Sequence, residues 1–207
     1  MAKITNTGVH IVEGAAAAAD TGGESQIWVK NDTPSSLYHT DDAGTDHRIN
    51  GITLGTAVAS TSGTSIDFTG IPAGTKKITV MFVAMSTNGT SKLTIQIGDS
   101  GGFETSAYVG SNATMSSTSN TAAVYAGSGF EIGAMDASTT HSGSIVLELE
   151  NLSAFTWVAR GTLGMSVTQL LTHGGSKSLS AELTQVRITT AGGSNTFDAG
   201  EINIQFE

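Results

Sequence analysis

The sequence predicts an all-β protein: an antiparallel β-sandwich, jelly-roll-like, carrying an N-terminal β-hairpin and an attachment segment. Three observations lead there. Charged residues make up only 13% of the 207, against roughly 25% in an ordinary soluble domain, so long amphipathic helices would lack the Glu and Lys that coat their outer faces. Glycine is abundant and proline scarce, 26 against 2, while hydrophobic residues reach 38%. That is too apolar for a disordered chain and too finely punctuated for long helices. Between the punctuation, short β-branched runs alternate with period two.

The elements follow in chain order. Residues 1–20 are weakly patterned apart from the Ala15 to Ala19 run, which fits a short helical turn or a flexible join, and they read as the attachment segment. Gln26-Ile27-Trp28-Val29-Lys30 alternates as a strand, Asn31-Asp32-Thr33-Pro34 makes a turn, and Ser36-Leu37-Tyr38-His39-Thr40 alternates again before the acidic stretch Asp41 to Asp46. This is a hairpin. A two-stranded hairpin carrying Trp28, Leu37 and Tyr38 is marginal in water, so these residues and His39 are the expected interface of a homo-oligomer. Residues 1–50 form one region and residues 51–207 a second.

In the second region strands are expected over Ile52 to Ala59, Thr64 to Phe68, Lys76 to Ala84, Lys92 to Ile97, Ile145 to Leu149, Thr156 to Leu163, Val186 to Thr190 and Glu201 to Phe206. In Lys92 to Ile97, Leu93, Ile95 and Ile97 share one face and Lys92, Thr94 and Gln96 the other. Such a strand has one face in a core and one in water. Asn88-Gly89, Gly101-Gly102, Gly174-Gly175, Gly192-Gly193 and Ser62-Gly63 supply turns. Short strands and turns at regular spacing are the signature of a sandwich or barrel.

Charge narrows the partners. Lys and Arg number 9 against 18 Asp and Glu, a net charge of −9, and no basic cluster exceeds Lys76-Lys77, which disfavours nucleic acid. No run approaches the ~18 apolar residues of a membrane span, so no membrane insertion is expected, and no secretory signal is visible. With no cysteine there are neither disulfides nor thiolate zinc sites. The Asn-x-Ser/Thr matches at Asn31, Asn88, Asn112 and Asn151 read as chance in a Ser/Thr-rich chain.

Candidate chemistry is thin. Gly98-Asp99-Ser100-Gly101-Gly102 spells the nucleophile sequence of chymotrypsin-like serine proteases, but no histidine stands in the context that family uses. As backbone, it is the turn leaving the strand that ends at Ile97. Asp41, Asp42, Asp46, His39 and His47 lack the ligand spacing of a calcium loop, and no metal is expected there. Glu148 and Glu150 share the solvent face of a strand, Asp198 and Glu201 flank a turn before the last strand, and Trp157 reads as core. No cofactor fingerprint occurs, and no enzyme activity is expected.

Two stretches carry a resemblance. Gly23 to Asp46, with Gln26-Ile27-Trp28-Val29-Lys30-Asn31-Asp32-Thr33-Pro34 at its centre, resembles a short module of tail-fibre and other virion proteins of tailed bacteriophages. Thr64 to Phe82, followed by Gln96-Ile97-Gly98-Asp99-Ser100-Gly101-Gly102 and by Lys177-Ser178-Leu179-Ser180 through Phe197-Asp198-Ala199-Gly200, resembles a β-rich domain near the C-termini of phage fibre-like proteins. The resemblance implies a virion structural protein, most simply a homotrimeric tail fibre that attaches to the host by binding a surface glycan or protein. A capsid decoration or head fibre is the alternative, and a glycan-degrading depolymerase a second. Residues 1–20 would hold other virion proteins. Loops are the expected contact surface: Ser86 to Ser91, Asp99 to Ser106, Ser111 to Ala122, Met135 to Ser144 and His173 to Ser176, with Asn88, Phe103, Tyr108, Asn112, Asn120, His141 and His173 as the receptor-binding candidates.

Overall fold

Alternating side chains pair into two separate sheet systems in the computed structural model, which describes residues 3–5, 8–10, 13–14, 25–31, 36–41, 44, 46–49, 51–133, 135–166 and 169–207. The Ala15 to Ala19 run, the Asp32 to Pro34 turn and Asp42 lie outside the described residues, as does most of the attachment segment. Among the described residues every regular element is a β-strand. The chain divides into two units, Met1–Ile52 and Thr53–Glu207.

In the first unit β1 (Lys3–Thr5) and β2 (Gly8–His10) pair antiparallel. A four-stranded sheet follows: β3 (Glu13–Gly14), β4 (Gln26–Lys30), β5 (Ser36–Thr40) and β6 (Asp46–Arg48), in that order. The β4–β5 hairpin has Trp28 opposite Tyr38. It is not left two-stranded, because β3 adds on one side in parallel and β6 on the other. Trp28 is only 9% exposed. Its ring stacks on Tyr38 at 5.0 Å, and its Nε1–H donates to Thr40 Oγ1 at 2.9 Å, whose hydroxyl donates to Asp46 Oδ1 at 2.6 Å. Trp28 is thus satisfied inside the chain, while Leu37, Tyr38 and His39 are half-buried. Ile27, on the opposite face of the strand, is 60% exposed.

The second unit is the sandwich. Its strands are β7 (Thr53–Leu54), β8 (Val58–Ala59), β9 (Ser65–Thr69), β10 (Lys77–Thr87), β11 (Leu93–Asp99), β12 (Gly102–Phe103) and β13 (Tyr108–Ser116). There follow β14 (Asn120–Gly127), β15 (Phe130–Gly133), β16 (His141–Asn151), β17 (Thr156–Met165), β18 (Gln169–Ser178), β19 (Gln185–Thr190) and β20 (Phe197–Phe206). The larger sheet runs β14-β13-β18-β17-β16-β10-β20-β7, with β8 also on β20. The smaller runs β12-β11-β19-β9, with β15 also on β11. All these pairings are antiparallel.

One core lies between the sheets. From the larger sheet come Ile78, Val80 and Phe82 of β10, Ile145 and Leu147 of β16, Trp157 of β17 and Ile202 and Ile204 of β20. From the smaller come Leu93, Ile95 and Ile97 of β11 and Val186 and Ile188 of β19. Burying such side chains contributes roughly 1.5–3 kcal/mol each, which is why strand period and core membership coincide.

Several expectations are corrected. Thr94 and Gln96 of β11 are not solvated: they are 1% and 8% exposed. The chain entering β15 covers them, with Gln96 Nε2 donating to Ser128 O at 2.9 Å and Gly129 so close that a Cβ there would lie 2.3 Å from Thr94 Cγ2. Ile52 to Ala59 is two short pieces rather than one strand, because Gly55 leaves the ladder to donate to Ile204 O at 2.8 Å. Asp198 and Glu201 are exposed positions within β20, not a turn before it. What looked like that turn is a bulge: Ala84 has φ 49° and Gly200 φ 83°, and a Cβ on Gly200 would come within 2.4 Å of the Ala84 carbonyl. Residues 111–116, 120–122, 141–144 and 173–176, expected as loops, are strand.

Candidate functional site

Strand direction gives the sandwich two ends with different chemistry. The chain enters at Thr53, opposite Phe206. At that proximal end lie Lys77 beside Glu148, the turn 99–101 and the turn 152–155. β10 then runs to Thr87, opposite Phe197, at the distal end. Among the described residues the turns closing there are 61–64, 88–92, 117–119, 136–140 and 191–196.

The proximal end is a set of ion pairs and clamped carboxylates. Lys77 Nζ meets Glu207 Oε1 at 2.7 Å, and buried Lys177 Nζ meets Glu104 Oε2 at 3.3 Å. At mid-ladder of the smaller sheet, opposite Gln96, Arg187 grips Asp67 through two 2.7 Å hydrogen bonds and lies 4.2 Å over the ring of Phe103. Asp99 accepts from Ser180 Oγ at 2.6 Å and from the Gly101 N–H at 2.7 Å. Those donors, the Ser180 hydroxyl first, hold its carboxyl below the usual range. The protease-like stretch is therefore an Asp-capped turn, with its carboxylate engaged by Ser180 and its Ser100 side chain exposed. Beside this end a groove of about 330 Å³ opens between β9 and β20, lined by Phe68, Ile71, Ile204, Phe206, Thr56 and Asp67.

The distal end carries amides and hydroxyls beside one ion pair, Lys92 Nζ to Glu131 Oε2 at 2.6 Å. Asn88 N–H donates to Thr196 O and Asn88 Oδ1 accepts from Thr196 N–H, both at 2.9 Å, so the 88–92 and 191–196 turns are clipped together. Ser91 Oγ lies 3.1 Å from the Asn195 side-chain amide. With its amide turned to match its neighbours, Asn195 also accepts from the Thr90 N–H at 3.0 Å. Ser116 Oγ accepts from the Ser119 N–H at 2.9 Å and closes the β13–β14 turn. Asp136, the acid of the 136–140 turn, accepts from the Ser138 N–H and hydroxyl, which keep its carboxyl below the usual range.

Of the seven receptor-binding candidates, the structure brings only Asn88 and Asn120 to this distal surface, both exposed. The others are corrected. Tyr108 is fully buried, its hydroxyl accepting from Ile97 N–H at 2.8 Å and facing Glu104 O at 3.0 Å; burial pushes its ionisation well upward. Asn112 is 8% exposed and donates to Glu131 O at 3.1 Å. His141 is wholly buried at the start of β16. His173 is 6% exposed and its ring nitrogens find no hydrogen-bond partner among the described residues, so burial pulls its pKa down to about 4. These four are core-facing because polar residues at inward strand positions go where the pleat sends them. Phe103 is half-buried at the proximal end under Arg187. Ser91 falls in the expected Ser86 to Ser91 loop, but sequence reasoning missed Asn195 and Thr196; the signal was the Gly192-Gly193 turn, whose following Ser-Asn-Thr run supplies side-chain amide and hydroxyl groups.

No protein family, curated protein or solved structure matches the chain.

Proposed function

We propose that the protein is a virion appendage of a tailed phage, a fibre-type protein that attaches to the host without catalysis, its sandwich recognising a neutral surface glycan through the distal turns. Residues 1–50 are its attachment and trimerising portion. The observation carrying the reading is the distal rim built from Asn88, Ser91, Asn195 and Thr196: uncharged donors and acceptors locked together by turn-to-turn hydrogen bonds. Neutral sugars present hydroxyls that such groups match, and a rim held rigid beforehand loses less entropy on binding. The resemblance of residues 23–46 and of Thr64 to Phe82 to phage virion modules supports the assignment to a particle.

The test is binding of the purified full chain to host cells and to a panel of host surface glycans, with Asn88→Ala and Asn195→Ala alongside. Retained glycan binding in both variants would remove the distal rim from the mechanism. Degradation of the glycan would replace attachment with depolymerisation, and labelling over the whole capsid would replace a tail fibre with a head decoration.

A further inference from the structure

A sheet edge is a row of backbone groups ready to pair with another chain, and proteins guard such edges with short strands, charges, prolines or bulges. Most edges of this sandwich are guarded. β7, β8 and β12 have two residues each. β9 carries Asp67 held by Arg187. β14 has no such guard: it is eight residues long, pairs with β13 without a register break, and contains no charge and no proline. It ends the larger sheet.

The ladder also says which backbone groups point away. The Ser116 N–H donates to Ser119 O across the turn, which makes Ser116 and Ser119 a hydrogen-bonded pair. In an antiparallel ladder such pairs alternate, so Thr121, Ala123 and Tyr125 bond to β13 while the N–H and C=O of Asn120, Ala122, Val124 and Ala126 face outward from the sheet. Val124 is 87% exposed. The same outer surface continues through Val109 and Met115 of β13 and Leu170 of β18, exposed by 52%, 47% and 40%, and its positions on these three strands carry no charge.

We infer that β14 is a pairing edge for a second copy of this chain, forming an antiparallel β14–β14 contact that joins two larger sheets into one. Charge chooses this occupant. Copies of a chain with net charge −9 repel, and they approach with least cost where both surfaces are neutral. An antiparallel strand pair is also self-complementary under a twofold axis. The register that uses all four outward residues puts the axis at Ala123, with Val124 opposite the partner's Ala122 and Asn120 opposite the partner's Ala126. Every outward N–H and C=O between 120 and 126 then finds a partner. The contact is separate from whatever joins the N-terminal units, and it does not rest on the proposed attachment role.

The test is the mass of the full chain by light scattering across a concentration series, with three variants. Val124→Pro removes one outward N–H without touching the β13 ladder, and Val124→Lys adds a charge at the edge. Thr162→Lys adds the same charge on the exposed outer face of β17, away from the edge. The expected result is that the wild-type mass is an even multiple of 21.1 kDa, that both Val124 variants halve it with unchanged circular dichroism and melting temperature, and that Thr162→Lys leaves it unchanged. A wild-type monomer, an odd multiple, a mass insensitive to both Val124 variants, or dissociation by Thr162→Lys alone would each overturn the pairing; the last would mean face-to-face stacking.

Discussion

The two ends of the sandwich close the same strands with different chemistry. At the proximal end charged groups are matched in ion pairs, Lys77 with Glu207 and Lys177 with Glu104. At the distal end Asn88, Ser91, Asn195 and Thr196 satisfy one another by neutral hydrogen bonds. A matched ion pair is internally occupied and offers little to a ligand. An amide or hydroxyl with one bond inside the protein keeps further donor or acceptor capacity. The difference is one of degree: the distal end also holds the Lys92–Glu131 ion pair, but its 88–92 and 191–196 turns are joined to each other by neutral hydrogen bonds.

The comparison can be broken most severely at the bulge that turns β20 toward the distal end. Gly200→Val places a Cβ against the Ala84 carbonyl at a positive φ and should cost about 3 kcal/mol, read as a lowered denaturation midpoint. Acid tests the middle of the sheet. His173 has its pKa pulled from 6.5 to about 4, so the unfolded chain takes up a proton that the folded one refuses. Stability is full above pH 6.5 and falls toward pH 4, by about 3 kcal/mol at most; His173→Leu should flatten the pH dependence in that window. Asp99 acts lower. Its carboxyl is held below the ordinary 3.8, so the stability it lends is present above that value and lost as pH falls beneath it. Asp99→Ala, which strips the Ser180 and Gly101 donors of their acceptor, should cost about 2 kcal/mol at neutral pH by urea denaturation. The smallest effect belongs to the outer face: Arg160 meets Glu148 at 3.2 Å but is 66% exposed, and Arg160→Ala should leave the melting temperature unchanged within error.

Alternation made β10, β11, β16, β19 and β20 legible, because each has large aliphatic residues along one side, and β17 through its inward Trp157, Ala159 and Leu163. Parts of β13, β14 and β18, residues 111–116, 120–122 and 173–176, were expected as loop. The inward positions of these strands hold Gly110, Asn112 and Gly175, types that favour turns when taken singly, and Tyr125 and His173 in place of a row of aliphatic side chains. The glycines are there for space: Tyr125 Oη lies over Gly110 and Gly175, and a Cβ on either would come within 2.5 Å of it. That contact joins residues far apart in the chain, so no local pattern reveals it. The candidate site divides the same way. Asn88 was visible from its Asn-Gly turn, whereas Asn195 became part of the site only when the ladder of β20 on β10 brought the two turns together.

Composition and period thus decide the class and most turn positions in this protein, though not Gly174-Gly175, because backbone sterics and the alternation of side chains act within a few residues of each other. Which faces are dry, which histidines are buried, which edge is open and which turns meet at the distal end depend on strand order. Strand order is set by burying the aliphatic rows of both sheets together, a long-range balance that short segments do not encode.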